Sequence, residues 1–302
     1  MKLDSELLER FIDVYHFQDS LDLDDKDIEK VKSDAFKDCR NKQIKSLRLL
    51  NLLRHTLHAR ISFTKKHLSL FEPLKDHLEE LDLTNNVFEC SFNFIGDLNH
   101  LQKLILKDCT FRRSPVFKGA NNHLTHLDLN KCHLRIHDEH MFDDLKCLKF
   151  LDLRKNVIKF RALPNLFKEL QQLETLKLSM RGNQMWKSEN RNFFIHLANL
   201  KEMDLRCFCI DYDMATVFAP LKSLRILSLK DSILQSGTLA TFPMSNLIEL
   251  RLVNVSRLSI DNNFFDKHPT LQSLKISPIN CTIIQPGCFI ETKYFKGKMD
   301  KS

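Results

Sequence analysis

The chain has 302 residues, of which 43% are hydrophobic, and this is enough apolar material for a folded interior rather than a disordered chain. Its net charge of +7 comes from 46 basic and 39 acidic residues that are interspersed, which argues against the clustered basic face of a nucleic-acid-binding protein. Six glycines leave little material for a phosphate-binding loop, and no apolar run approaches the length of a membrane span.

The N-terminal segment, residues 1–43, is predicted to hold a cap helix and a degenerate repeat. The helix has an apolar face formed by Leu3, Leu7, Leu8, Phe11, Ile12 and Tyr15. Asp4 or Ser5 is able to cap its first turn. A repeat array needs such a cover at its exposed end. Residues 44–77 are expected to hold a second degenerate repeat with an insertion.

A leucine pattern dominates residues 78–280. The motif Leu-x-x-Leu-x-Leu recurs in nine copies, spaced by 23 to 27 residues, with Met203 and Ile276 as the only substitutions. The copies start at Leu78, Leu101, Leu124, Leu148, Leu173, Leu200, Leu224, Leu247 and Leu271. The last two leucines of each copy share one face of a short strand, because alternate side chains of a strand point the same way. Stacked copies therefore predict a parallel sheet with a continuous leucine core.

These copies resemble the short, roughly 24-residue repeats of leucine-rich-repeat proteins. The resemblance implies an α/β solenoid, a horseshoe with a parallel sheet on its concave face and an N-terminal helical cap. It also implies an asparagine or cysteine in each turn, and the matching residues are Asn86, Cys109, Cys132 and Asn156, whereas Arg181, Phe208, Ser232, Val255 and Ile279 depart from the pattern. A stacked aromatic spine is implied for Phe94, Phe142, Phe167, Phe194, Phe218, Phe242 and Phe265. Residues 281–302 are expected to form a C-terminal cap and a basic tail.

The non-leucine positions in and just after the strands would line the concave face. The residues that we predict to contact a partner there are Asp82, Lys107, Asp128, Phe150, Asp152, Arg154, Lys177, Asp204, Arg206, Lys230 and Arg251. Positive and negative charges nearly cancel on this face, which suits a protein partner better than a nucleic acid. The alternative is that these charges only pair with one another and keep the sheet soluble.

Catalytic and metal-binding motifs are weak in this sequence. His133, His137 and His140 fall in a turn rather than on one helical face, and Cys207-Phe208-Cys209 lacks a second pair to complete a zinc site. We therefore predict no enzymatic activity, no cofactor and no metal site.

The most favoured function is a protein-interaction module or scaffold, with a partner whose identity the sequence does not give. A first alternative is the substrate receptor of a cullin-type ubiquitin ligase, because residues 3–11 resemble the opening of an F-box and would recruit a ligase adaptor. A second alternative is an extracellular or receptor ectodomain fragment, supported by the sequons at Asn254 and Asn280. An odd number of scattered cysteines, nine in all, and the lack of a visible signal peptide favour the cytoplasm.

Overall fold

A computed structural model describes the chain over the following ranges: 2–15, 19–24, 30–32, 34–40, 42–50, 62–63, 69–89, 93–117, 119, 123–159, 163–180, 193–210, 214–234, 245–256, 258–260, 264–277 and 282–284. The chain forms two compact units. Unit 1 comprises residues 1–135 and 141–151, and unit 2 comprises residues 136–140 and 152–302.

Short strands make up most of the regular structure. In chain order they are β1 (Lys2–Leu3), β2 (Ser20–Asp22), β3 (Lys30–Val31), β4 (Ser46–Arg48), β5 (Ser62–Phe63), β6 (Glu80–Asp82), β7 (Val87–Phe88), β8 (Lys103–Ile105), β9 (Thr110–Phe111), β10 (His126–Asp128), β11 (Arg135–Ile136), β12 (Phe150–Asp152), β13 (Val157–Ile158), β14 (Thr175–Ser179), β15 (Glu202–Arg206), β16 (Cys209–Ile210), β17 (Ile226–Lys230), β18 (Ile233–Leu234), β19 (Glu249–Val253), β20 (Leu258–Ile260), β21 (Ser273–Ile276) and β22 (Thr282–Ile284). The α-helices are α1 (Ser5–Tyr15), α2 (Met214–Phe218) and α3 (Phe264–Lys267), and the 3-10 helices are Lys37–Cys39, Ser69–Leu74 and Asn93–Asp97.

Each unit is a parallel β-solenoid. In unit 1 the main sheet has the order β2-β4-β6-β8-β10-β12, and a smaller sheet has the order β5-β7-β9. In unit 2 the main sheet has the order β14-β15-β17-β19-β21, and two pairs of strands, β16-β18 and β20-β22, accompany it. Sequential strands are therefore neighbours in space, which is the arrangement of a solenoid whose turns contact only the turns beside them.

Equivalent leucines align across neighbouring strands and form the core. Leu81 lies beside Leu104, and Leu104 lies beside Leu127, in the parallel register of unit 1. All three side chains are completely buried. In unit 2 Met203 occupies the same kind of position beside Leu227 and is also completely buried. The strand prediction from the leucine spacing is thus reproduced by the backbone pairing.

Turn residues after the strands donate side-chain hydrogen bonds to carbonyl groups of their own turn and of the turn beside it. In unit 1 Asn86 Nδ2 donates to Leu49 O at 2.8 Å and to Leu83 O at 2.8 Å. Cys109 Sγ donates to Leu83 O at 3.1 Å, and Cys132 Sγ donates to Leu106 O at 2.9 Å. These side chains satisfy buried carbonyls that would otherwise be costly to leave without a donor.

Ser232 takes a comparable place in unit 2, although it departs from the asparagine or cysteine pattern. Its Oγ accepts from Phe208 N at 3.2 Å and donates to Lys230 O at 2.9 Å. Ser232 is 1% exposed, and Phe208 is equally buried. Although Phe208 and Ser232 depart from the asparagine or cysteine pattern, their turns are hydrogen-bonded and the core there is filled. Arg181 and Ile279 lie outside the described residues.

The turns share a second feature, a residue of positive φ placed two positions after the last leucine of the strand. Among the residues that the structure describes, seven occupy that position with φ between 50° and 62°: Asn85, Asp108, Lys131, Lys155, Cys207, Asp231 and Asn254. Asparagine and aspartate tolerate the left-handed region best among residues with a side chain. Lys131, Lys155 and Cys207 are held there against their intrinsic preference.

In each unit, buried phenylalanine rings from the segments between the main-sheet strands pack against one another. In unit 1 Phe142 stacks on Phe117 with ring centroids 6.2 Å apart, and both are 1% exposed. In unit 2 Phe167 contacts Phe193 at 4.9 Å, and Phe194 contacts Phe218 at 5.9 Å. The side chains of Phe94 and Phe242 lie outside the described part of the chain.

Helix α1 begins with the predicted aspartate cap. Asp4 Oδ1 accepts from Leu7 N at 3.1 Å, and its other oxygen binds Lys32 Nζ at 2.8 Å. Leu3 and Leu8 are 0% and 1% exposed, so one face of the helix and the strand before it are packed into unit 1. Residues 51–61 and 64–68 of the segment predicted to hold the insertion lie outside the described residues, as does the C-terminal tail apart from residues 282–284.

Candidate functional site: the open face of the main sheets

The strand side chains that alternate with the buried leucines line what we call the open face of each main sheet. On β8, for example, Leu104 is fully buried whereas Lys103 and Ile105 on either side are half-buried. The pleat explains this pattern, since a strand sends successive side chains to opposite faces. The residues predicted to bind a partner belong to this face or to the turn that follows it.

In unit 1 the open face carries a stacked aromatic pair. The rings of His126 on β10 and Phe150 on β12 are 3.9 Å apart and inclined by only 2°. Both side chains are half-buried, so the pair is partly accessible to water. Lys103 lies beside His126 in the register and pairs with Glu80 Oε1 at 2.8 Å. Phe150 was predicted from its position, and the histidine that supports it was not.

The predicted aspartates of unit 1 accept hydrogen bonds within the turns that follow their strands. Asp82 Oδ1 accepts from Thr84 N at 2.9 Å and from Thr84 Oγ1 at 2.6 Å, and Asp82 is only 8% exposed. Asp128 Oδ1 accepts from Asn130 N at 2.8 Å in the same way. An aspartate that bonds the amide two residues later fixes a turn. Lys107 is exposed in the turn after β8 rather than on the strand.

In unit 2 four of the predicted residues form one ion-pair network. The side chain of Asp152 is 2% exposed and receives Arg154 Nε at 3.0 Å. Arg154 also reaches Asp204 Oδ2 through Nη1 at 3.1 Å, and Arg206 Nη2 reaches the same oxygen at 3.0 Å. Arginine fits this role because its planar group donates several hydrogen bonds in fixed directions.

Other predicted cations of unit 2 lie on the neighbouring strands, close to this network in the strand register. Lys177 lies beside Asp204, and Lys230 lies beside Arg206. Arg251 lies one strand further on, where its Nε donates to Glu249 Oε1 at 3.0 Å. Hydrogen bonds from Arg251 above all, and from Lys275, lower the pKa of Glu249 to about 2. Glu249 was left out of the predicted site, yet its charge is what holds Arg251 in place.

His126 and Glu249 were both within reach of sequence reasoning. Each stands immediately before a core leucine, as Phe150 does, so the rule that selected Phe150 also covers them. The sequence does not show which residues His126 and Glu249 contact, because a side chain on a sheet can turn toward either neighbouring strand.

The histidine and cysteine clusters of the sequence show no metal-binding arrangement in the described residues. Within those ranges, no group of three histidine, cysteine, aspartate or glutamate side chains is placed to hold an ion. Burial raises the pKa of Cys109 to about 12 and raises that of Cys132 further, in keeping with thiols that serve as hydrogen-bond donors in the turns. None of the described helices is long and apolar enough to cross a membrane.

Comparison with solved structures identifies the architecture. The crystal structure of the TLR13–ssRNA13 complex matches this chain with a TM-score of 0.60 and 23% sequence identity. The match covers 86% of this chain and 39% of that one. The fold resembles that of leucine-rich-repeat proteins. This chain spans well under half of the length of the matched protein.

Two internalins from Listeria monocytogenes str. 4b F2365 match at lower scores. Internalin InlF has a TM-score of 0.45 and 13% identity over 88% of this chain and 82% of its own. Internalin C2 has a TM-score of 0.44 and 16% identity over 76% of this chain and 84% of its own. No protein-family model matches the sequence, and no curated protein matches it either.

Proposed function

We propose that this protein is a non-enzymatic interaction module that holds a protein partner on the open face, which would be the concave side of a leucine-rich-repeat horseshoe. The observation that carries the proposal is the half-exposed stack of His126 and Phe150 in unit 1. Flat aromatic side chains in the middle of a polar surface are the usual anchors of protein interfaces.

The charges of the open face support a protein partner in a second way. Arg154, Arg206 and Arg251 are each held by carboxylates of the same unit. Side chains that are already fixed lose less freedom when a partner binds, and charges of both signs set register and specificity.

The matched TLR13 structure is named as a complex with ssRNA, so single-stranded RNA is the natural competing ligand for this fold. A nucleic acid gains affinity from accumulated positive charge that is free to meet phosphates. On this open face the three arginines meet carboxylates instead, which favours a protein.

The N-terminal helix is proposed to be a cap. Leu3 and Leu8, two apolar residues of the F-box-like stretch, are buried inside unit 1, which supports covering rather than display. Glu9 and Arg10 of the same stretch are exposed on helix α1, so the ligase-receptor alternative would use them to contact an adaptor. The division into residues 1–43, 44–77, 78–280 and 281–302 stays part of the proposal.

Quantitative recovery of co-purifying proteins from cells tests the proposal. The tagged full chain is compared with His126→Ala/Phe150→Ala and with Ile195→Ala, a control that trims an apolar side chain 50% exposed elsewhere. We expect one or more partners to be lost from the double variant and retained by the control. Identical partner sets for all three, with unchanged circular dichroism, would contradict binding on the open face.

The same experiment separates the alternatives. Loss of a cullin adaptor from a Glu9→Ala/Arg10→Ala variant would establish the ligase-receptor function. An N-glycan on Asn254, which is exposed in the turn after β19, would contradict the proposed cytoplasmic location and favour the ectodomain alternative.

A further inference from the structure

A second surface of unit 2, distinct from the open face, has the form of a binding groove. It has a volume of about 670 Å³ and runs along the edge where β15, β17, β19 and β21 begin. The residues immediately before these strands line it, namely Lys201, Arg225, Ile248 and Gln272. A volume of this size falls in the range of pockets that bind ligands.

The backbone fixes the spacing of the groove. Arg225 N donates to Lys201 O at 2.9 Å, Ile248 N donates to Arg225 O at 2.7 Å, and Gln272 N donates to Ile248 O at 2.8 Å. Neighbouring positions are therefore one strand spacing apart, and the four strand starts span roughly 15 Å. An extended segment of about five residues covers that length.

The groove is positively charged. Lys201, Lys222 and Arg225 line it and are exposed, and no acidic residue is among the lining residues. Lys201 Nζ pairs with Glu174 Oε2 at 2.9 Å. Within the ranges that the structure describes, neither Lys222 nor Arg225 has an ion-pair partner. Two cations are thus available to an incoming ligand.

The chemistry of the lining narrows the class of ligand. The amides of Arg225, Ile248 and Gln272 already donate to carbonyl groups, so they offer no backbone cradle for a phosphate. No aromatic ring lines the groove, so it lacks the aromatic platform on which successive bases of a single strand stack. Ile248 and Pro269 instead add apolar surface beside the cations.

We propose that this groove binds an acidic segment of a protein partner, with Lys222 and Arg225 contacting its carboxylates and Ile248 contacting an apolar side chain. The site does not depend on the open face. A partner that binds both surfaces would gain affinity from each without any change in the fold.

Fluorescence anisotropy with the full chain tests this site. The probe is a fluorescein-labelled peptide of glutamates with one central leucine, and the groove variant is Lys222→Gln/Arg225→Gln. The matched control is Lys155→Gln/Lys267→Gln, which removes the same charge from exposed residues of unit 2 outside the groove. We expect the groove variant to bind about tenfold more weakly and the control to stay within about twofold of the wild type.

Three results would overturn the proposal: unchanged binding by the groove variant, an equal loss in the control, or tighter binding of a thymidine oligonucleotide of similar length than of the peptide. An equal loss would mean that net charge alone attracts the probe. His126→Ala/Phe150→Ala should bind the peptide as the wild type does, so failure of the open-face proposal leaves this result intact. Circular dichroism of each variant checks that it is folded.

Discussion

Replacing Arg154 by methionine should destabilise unit 2 through the charges that it leaves behind. The Arg154 side chain is 18% exposed, whereas the side chains that it binds, Asp152 and Asp204, are 2% and 11% exposed. Asp204 keeps Arg206 as a partner, whereas Asp152 loses the hydrogen bonds from the Arg154 guanidinium and keeps the one from the amide of residue 154.

The expected loss follows from that burial. Breaking a buried ion pair by removing one partner costs about 3 to 5 kcal/mol. Because Arg154 retains some contact with water, we expect Arg154→Met to lower the free energy of unfolding by about 2 to 3 kcal/mol.

Urea unfolding followed by circular dichroism measures this change, provided that the denaturant slope stays constant. Arg225→Met is the matched control, since Arg225 is exposed and has no described ion-pair partner, and it should change the free energy by less than about 0.5 kcal/mol. Asp152→Asn combined with Arg154→Met should cost less than the sum of the two single changes, because the double variant also removes the charge of the carboxylate that Arg154 binds. An Arg154→Met protein as stable as the control would refute the reasoning.

Three further predictions concern pH, turn strain and thiol reactivity. Since the folded pKa of Glu249 is lowered to about 2, its contribution to stability should be lost as the pH falls from about 5 towards 2, and Glu249→Gln should flatten that part of the pH dependence of unfolding. Lys155→Gly should raise the unfolding free energy by about 0.5 to 1 kcal/mol because φ is 60° there, whereas Lys159→Gly, a control without positive φ, should lower it; thermal melts with the opposite order would show that the turn is not strained. Burial also raises the pKa of the Cys207 thiol, but Cys207 is exposed, so iodoacetamide at alkaline pH should label Cys207 well before the buried Cys109 in the folded protein; peptide mapping that finds both labelled equally would contradict the burial of Cys109.

The leucine pattern was sufficient to predict the solenoid and the strands that carry it. Leu81, Leu104 and Leu127 recur at a spacing that only stacked, parallel strands can bury together, and the register pairs them in that way. The same pattern placed Phe150 on the polar side of its strand. It did so because the side-chain period of a strand is fixed by the backbone and does not depend on neighbours.

The pattern was less informative about the turns. Ser232 departs from the asparagine or cysteine motif, yet its hydroxyl group makes two backbone hydrogen bonds in the turn. A shorter side chain can do this only where the neighbouring backbone comes close enough. The distance between turns is a property of the stack, and the local sequence does not contain it.

Local periodicity was therefore enough to predict a parallel solenoid, its main-sheet strands and the side chains that face away from the leucine core. Which charges neutralise each other depended on the tertiary structure, as when Arg154 reaches Asp204 fifty residues further along the chain. The tertiary structure also assembled Lys222, Arg225 and Ile248 into one groove. Contacts of this kind join side chains from different turns, and their geometry is set by how the turns stack.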